Sequence, residues 1–276
     1  MIKRILVPTD GSDAAAVGVR YAIALALRCG ATVCGLHVVD VKLLEGPFLR
    51  DLSASLGTAP YVNYQGNIAL LLEERGRAAL DAFERMCAEA GVPCEVAQST
   101  GIVPREIVER SGLADVVVMG KGGEHSPWLE GVLGSTTEAV VRRSRQPVLV
   151  TGTDRLGSER LLAAYDGSPH ADRALKVAAE LSAAWRAALH VLVVGDETCA
   201  DSAAEARQYL LAHSVEAAWE HRGGDPREEI VAYAKTFKAD LLIMGAYGHS
   251  KVRELVLGST TNYTVRHAPC PVLLTR

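Results

Sequence analysis

The chain is written twice. "RILVPTDGSDAA" (Arg4 to Ala15) returns as "RLLAAYDGSPHA" (Arg160 to Ala171), and "ADVVVMG" (Ala114 to Gly120) returns as "ADLLIMG" (Ala239 to Gly245). "TGIVPREIVER" (Thr100 to Arg110) has its counterpart in "GGDPREEIVAY" (Gly223 to Tyr233), and "RQPVLVT" (Arg145 to Thr151) in "PCPVLLT" (Pro269 to Thr275). Blocks recurring in one order constrain the fold more than any composition does: whatever one half builds, the other builds again. Each copy is the size of an ordinary domain. The repeat assigns residues 1–152 to one domain and 158–276 to a second, with the polar stretch Gly152 to Ser158 as a short linker.

Each copy alternates between two periodicities. In the first, strands are predicted at Ile5 to Val7, Ala31 to Val39, Cys94 to Ala97, Val116 to Met119 and Val148 to Val150. Helical stretches separate them, one carrying Val17, Tyr21, Ala24 and Leu25 on a stripe and another Leu72, Leu80 and Phe83. Aromatic residues are only 5% of the chain, and its apolar content is mostly Ala, Val and Leu, which suits helices covering a buried parallel sheet. The expected fold is therefore two flavodoxin-like, doubly wound domains in tandem, each with a five-stranded parallel sheet. Ligands of such sheets collect beyond the carboxyl ends of the strands. "TDGS", "YDGS" and "STGIVP" all fall there.

So do two glycine loops. In the second copy Gly245 is followed by two residues, Gly248, nine residues, then Gly258-Ser259 ahead of a short helical stretch. Glycine lets a backbone approach a ligand closely, and the amides of a helix start face a phosphate favourably. The Ser259 and Thr260 hydroxyls add donors. Neither a G-x-x-x-x-G-K-[ST] phosphate loop nor a G-x-G-x-x-G after the first strand is present.

With these residues in view the chain resembles the universal stress protein family, in its tandem two-domain form. The family carries G-x2-G-x9-G-[ST] after its fourth strand and an Asp at the end of its first, here "GAYGHSKVRELVLGS" with Asp166, and "VPTDGS" with Asp10. The resemblance spans nearly the whole chain, twice over. It implies ATP, with or without Mg²⁺, held without a Walker loop. By it Asp166 meets the adenosine part, Val194 lies beside the base, Gly245, Gly248, Gly258, Ser259 and Thr260 cradle phosphates, and Gly224 lines the same crevice. In the first copy Asp10, Gly120, Gly123, Gly134 and Ser135 match. Ten residues rather than nine separate Gly123 from Gly134, however, and Glu124 is the insertion. An extra residue redirects the amides after it, and a carboxylate there repels phosphate, so the first copy is read as degenerate or as serving another ligand.

Other residues are read on chemistry alone. His125 and His249 follow the loops at matched positions, as phosphate contacts or solvated turn residues. Lys121 either reaches a phosphate or faces water. Trp128 and Trp185 are read as packing. Asp10 to Pro104 spans 94 positions against 60 from Asp166 to Pro226, and the surplus of 34 centres on Val41 to Asn67. Leu43, Leu44, Phe48, Leu49, Leu52, Leu56 and Tyr61 make that insertion either a surface excursion or a lid or partner surface.

Several function classes drop out. A net charge of -4 gives no electrostatic case for nucleic acid. No apolar run reaches membrane-spanning length, the N-terminus turns at Pro8 unlike a signal peptide, and six cysteines show no metal-ligand spacing. The expected setting is a reducing cytoplasm. No poised nucleophile–base pair appears, so any ATP hydrolysis is expected to be slow. The reading is an ATP-binding regulatory protein with an unidentified protein partner. An interaction or scaffold module is the alternative; an ATP pyrophosphatase-type enzyme is a weaker one, because "TDGSDA" and "YDGSPH" lack the S-G-G-x-D-S loop it needs. Finally, "PVLVT" and "PVLLT" are short, apolar terminal strands whose open edges invite pairing. They are expected to join antiparallel into an internal pseudo-dimer, as family dimers do by resemblance, with a homodimer of the chain a further possibility. A linker of about seven residues reaches ~23–25 Å when extended, enough to allow it.

Overall fold

The first half alternates β1 (Arg4–Pro8), β2 (Thr32–Asp40), β3 (Cys94–Gly101), β4 (Val116–Gly120) and β5 (Val148–Thr151) with α1 (Asp13–Cys29), α2 (Val41–Glu45), α3 (Tyr61–Glu89), α4 (Val103–Ser111) and α5 (Ser135–Arg143). The second alternates β6 (Arg160–Tyr165), β7 (Ala188–Val194), β8 (Ala217–Arg222), β9 (Leu241–Gly245) and β10 (Val272–Thr275) with α6 (Pro169–Trp185), α7 (Thr198–Ala212), α8 (Pro226–Phe237) and α9 (Ser259–His267). This computed structural model describes residues 2–45, 61–122, 133–152, 157–195, 198–248 and 257–276, with backbone alone for 44–45, 61–67 and 198–202.

All ten strands join one sheet in the order β3-β2-β1-β4-β5-β10-β9-β6-β7-β8. Every pairing is parallel except one: β5 and β10 run antiparallel, with Leu273 opposite Leu149 and Val272 opposite Val150. The two terminal strands thus close each other's edges, and the halves form the expected internal pseudo-dimer. Within each half the first strand is central, and the winding direction reverses between β1 and β4 and between β6 and β9.

The side-chain alternation of a strand sorts the core by sheet face, not by half. Ile5 and Val7 join Leu161, Ala163, Leu149 and Leu273 in one layer, under α1, α3, α6 and α7. Leu6, Val117 and Val150 join Leu162, Leu242 and Val272 in the other, under α4, α5, α8 and α9. Both layers run unbroken across the β5–β10 seam. With both faces covered, β4, β5, β9 and β10 are buried along nearly their whole length and are mostly apolar.

Two sequence expectations are refined. β3 continues past Ala97 to Gly101, its Gln98, Ser99 and Thr100 pairing with His37, Val38 and Val39. The strand lies at the sheet edge, where half-exposed polar residues are tolerated, so its polarity hid it. Of the Val17, Tyr21, Ala24 and Leu25 stripe of α1, Tyr21 is buried together with Gly18, Val19, Ala22, Ile23 and Ala26, while Val17, Ala24 and Leu25 are only half-buried. Tyr21, Ala24 and Leu25 face the seam with the second half.

The first half's surplus becomes α2 and a 29-residue α3 where the second half has the 15-residue α7. Its centre, with Phe48, Leu49, Leu52 and Leu56, lies outside the described residues. Leu43, Leu70 and Leu71 beside it are each more than half exposed.

Candidate functional site

Both copies of Asp-Gly-Ser build the same turn. Gly11 and Gly167 take positive φ (78° and 75°), which swings the chain off β1 and β6 into a helix. The serine after each caps that helix: Ser12 Oγ accepts from Ala15 N and Ser168 Oγ from Ala171 N, both at 3.2 Å. The aspartate before each glycine holds the turn, Asp10 Oδ1 accepting from Ser12 N and Asp166 Oδ1 from Ser168 N at 3.0 Å. One carboxylate edge is thus spent on the turn, and the position at the strand's carboxyl end is fixed.

The glycine loops are anchored differently. α5 and α9 begin at Gly134 and Gly258, neither with a side-chain cap. α1, α6 and α8 have Ser or Asp caps, while α4, which follows Ile102, lacks one as α5 and α9 do; at the starts of α5 and α9 the first-turn amides are not claimed by a capping side chain. The second threonine of each "GSTT" ties its helix back to the preceding strand. Thr137 Oγ1 donates to Gly120 O at 3.0 Å, and Thr261 Oγ1 lies 3.2 Å from Gly245 O and 3.1 Å from Ala246 O. Neither threonine was singled out from the sequence, although the matched "GSTT" carried the signal. Ser135 and Ser259 are exposed at the helix starts.

Space explains the glycines. A Cβ on Gly248 would stand 2.7 Å from Asp166 Oδ2, so this backbone lies directly against the carboxylate. A Cβ on Gly245 would meet His170 Cβ at 2.9 Å, and one on Gly120 would meet Ala14 O at 2.6 Å. Gly258 is looser, with Ala246 O at 3.4 Å. Gly224 turns the chain between β8 and α8 with φ of 115°. Val194 is the buried last residue of β7, beside β6 and therefore beside Asp166. In the second half Asp166, Val194, Gly245, Gly248, Gly258, Ser259 and Thr260 thus gather at the carboxyl ends of β6, β7 and β9.

In the first half the same arrangement opens into a cavity of about 560 Å³. Asp10, Gly120, Gly134 and Ser135 line it, as do Val38, His37 and Arg75, which the sequence did not flag. Strand register makes Val38 the counterpart of Val194, because Thr32 and Ala188 both pair with the first residue of their central strand. His37 is oriented by an Nδ1–H bond to Thr9 O at 2.9 Å. Arg75 comes from α3, the helix that carries the first half's surplus. Gly123, Glu124, His125, Trp128, His249, Arg253 and Glu254 lie outside the described residues.

Lys121 is half-buried and reaches toward the second half. Its Nζ crosses the seam to Arg266 O at the end of α9, 3.4 Å away, and its stem packs on Gly152. Burial there pushes the ammonium below its ordinary pKa. The matched residue Ala246 has no such reach, so this tie exists once.

The sequence profile of the universal stress protein family matches residues 1–152 and again residues 157–276. The chain belongs to the universal stress protein family. A universal stress protein of Synechocystis is 31% identical over 287 aligned positions, covering 100% of both chains. One of Mycobacterium bovis is 26% identical, over 94% of this chain and 97% of its own. The crystal structure of a universal stress protein from Archaeoglobus fulgidus superposes with a TM-score of 0.79 at 24% identity, covering 99% of this chain and 98% of that one. That likeness is one of fold. Among the described residues no cluster of His, Cys, Asp or Glu could hold a metal ion, and no helix is long and apolar enough to cross a membrane.

Proposed function

We propose that this universal stress protein binds ATP in its second half and acts as a nucleotide-responsive regulator, not as a dedicated catalyst. The observation that carries the reading is the start of α9. A helix capped by Gly258 alone leaves its first amides unclaimed by a side chain, and Gly258 stands against Ala246 and Tyr247, next to the place where Gly248 closes on Asp166. Gly245, Gly248, Gly258, Ser259 and Thr260 then hold the phosphates, with Mg²⁺ entering on the nucleotide. Asp166 takes the ribose hydroxyls, Val194 borders the base, and Gly224 forms the far lip. Triphosphate charge is balanced here by backbone dipoles, which suits a chain without a phosphate-loop lysine.

The first half is read as a second ligand site. Its cavity of about 560 Å³ is within the range of small-molecule pockets, and Asp10, Gly120, Gly134 and Ser135 line it. The Glu124 insertion and Arg75 make it unlike its twin, so a weaker nucleotide or a different small anion belongs there. Titration calorimetry of the full chain with Mg-ATP tests both readings. Gly258→Val places a branched side chain where phosphate would lie, and one binding event should disappear. Unchanged affinity and stoichiometry in that variant would remove the second half from the proposal; a residual weaker event in it would report the first.

A further inference from the structure

Two thiols of the first half meet beneath the end of α3. Phe83 of that helix is seated on Gly35 of β2, where a Cβ would stand 2.8 Å from its ring, and Gly35 pairs with Val96 of β3. α3 runs against β3, so four residues further along the helix, a rise of about 6 Å, match two residues back along the strand, about 6.6 Å. Cys87 therefore lies over the rung of the ladder where Val33 pairs with Cys94. The side chains are in contact, and a hydrogen bond joins the Cys87 thiol to Cys94. A tight turn holds them there, with Val92 N donating to Cys87 O at 2.9 Å and Gly91 at a φ of 68°.

Packing alone does not ask for sulfur at these positions. In the second half Val215 N donates to Leu210 O at 2.9 Å and Ser214 takes a φ of 56°, the same turn. Ala217 pairs there with Leu189 as Cys94 pairs with Val33. One half thus makes the contact with Leu210 and Ala217, the other with two thiols. The thiols differ in access. Cys87 is fully buried, and burial, with Cys94 beside it, pushes its pKa up to about 12 and keeps it protonated. Cys94 is half-buried on an edge strand, between the exposed Pro93 and Glu95. Cys34 faces the other side of the sheet, where its Sγ lies 3.9 Å from Glu95 Oε2.

We propose that Cys87 and Cys94 form a reversible disulfide when the protein meets a peroxide. Hydrogen peroxide oxidises the Cys94 thiol to a sulfenic acid; the O–O bond breaks and one water leaves. The Cys87 sulfur then attacks the Cys94 sulfur, the S–O bond breaks, and the Cys87 proton departs with the hydroxyl as a second water. The two thiols give up two electrons and the peroxide takes them. A dithiol reductant reverses the bond by exchange. The bridge pins the end of α3, the helix that brings Leu72 and Arg75 to the first-half crevice. It shares no residue with that crevice and is independent of the ATP reading.

Peptide mapping of the full chain tests this. Trypsin cleavage after Arg85 and Arg105 leaves both thiols on one peptide, Met86 to Arg105, while Cys29 and Cys34 share another, Cys29 to Lys42. The folded protein is treated with a small excess of hydrogen peroxide, then denatured, alkylated with iodoacetamide and digested. The Met86 to Arg105 peptide should carry no adduct and weigh two hydrogens less than its reduced form, and dithiothreitol before alkylation should restore both adducts. The Cys29 to Lys42 peptide should keep its two. Cys94→Ala, which copies Ala217, should leave Cys87 unoxidised and alkylated at the same dose. Adducts retained on both thiols once Met86 of the same peptide has become the sulfoxide would overturn the proposal. So would Cys94 bonded to another cysteine, or Cys87 oxidised as fast in Cys94→Ala as in the parent.

Discussion

The seam between the halves can be weighed by truncating its two facing leucines one at a time. Leu149 and Leu273 stand opposite each other in the antiparallel pair, and each is 4% exposed. Leucine to alanine removes three carbons, a transfer loss of about 2.4 kcal/mol at ~0.8 kcal/mol per methylene. The void left behind normally raises the cost to about 3–5 kcal/mol. Leu273 has no cavity beside it among those described, so Leu273→Ala should cost about 3–4 kcal/mol. Leu149 also borders a cavity of about 360 Å³ between the halves, lined as well by Tyr21, Leu25, Trp185 and Leu241, so its truncation enlarges an existing space instead of opening a new one. Leu149→Ala should therefore stay near the transfer term, about 2.5 kcal/mol. At about 2–4 °C per kcal/mol for a chain of this size, the melting temperatures should fall by roughly 6–16 °C and 5–10 °C respectively. Scanning calorimetry of both variants measures this, with the order Leu273→Ala below Leu149→Ala as the decisive result. Equal losses, or the reverse order, would mean that Leu149 is packed on all sides and that the seam cavity is not there.

Two further outcomes follow from the geometry. Gly248→Ala puts a Cβ 2.7 Å from Asp166 Oδ2 and must push that carboxylate aside, so ATP should bind at least several-fold more weakly while the fold survives; calorimetry showing wild-type affinity would detach Asp166 from the nucleotide. His190 bonds through Nδ1 to Tyr233 Oη at 2.8 Å and stacks on Phe237 at 3.8 Å between centroids; burial holds its pKa below the ordinary 6.5, partly opposed by Glu220. The unfolded chain then takes up a proton first as pH falls below 6.5, so stability is full above that value and declines beneath it. His190→Gln should lose less melting temperature than the parent between about pH 7.5 and about pH 5.5, and an identical loss would clear His190 of the effect.

The architecture was legible because repetition turns weak signals into strong ones. Short apolar runs such as Val116 to Met119 gain meaning from a twin at Leu241 to Met244, and the two PVL-containing ends announced their own pairing. The missed parts share a physical cause. β3 past Ala97 and the reach of Lys121 depend on neighbours distant in sequence: a sheet edge in one case, the far helix α9 in the other. The α1 stripe was a true periodicity whose partner stayed open, since pattern reports that a face is apolar and not what covers it. In the candidate site, residues with a motif were anticipated. Val38, Arg75, Thr137 and Thr261 were not, because a β-branched residue ending a strand, a cation on a long helix and the fourth letter of "GSTT" look ordinary until register aligns them.

Joining the two terminal strands within one chain has an evolutionary consequence. When identical subunits pair about a two-fold axis, each substitution is made at both sites, and a change useful at one is imposed on the other. Here a linker keeps the partner strand at high effective concentration while the two sides are encoded separately. Each half is free to drift alone. The extra residue before Gly134, the lengthened α3, Lys121 opposite Ala246 and the Cys87–Cys94 pair are all changes that a symmetric pair could accept only in duplicate. With the two sides encoded separately, one pocket can change while the other keeps its form.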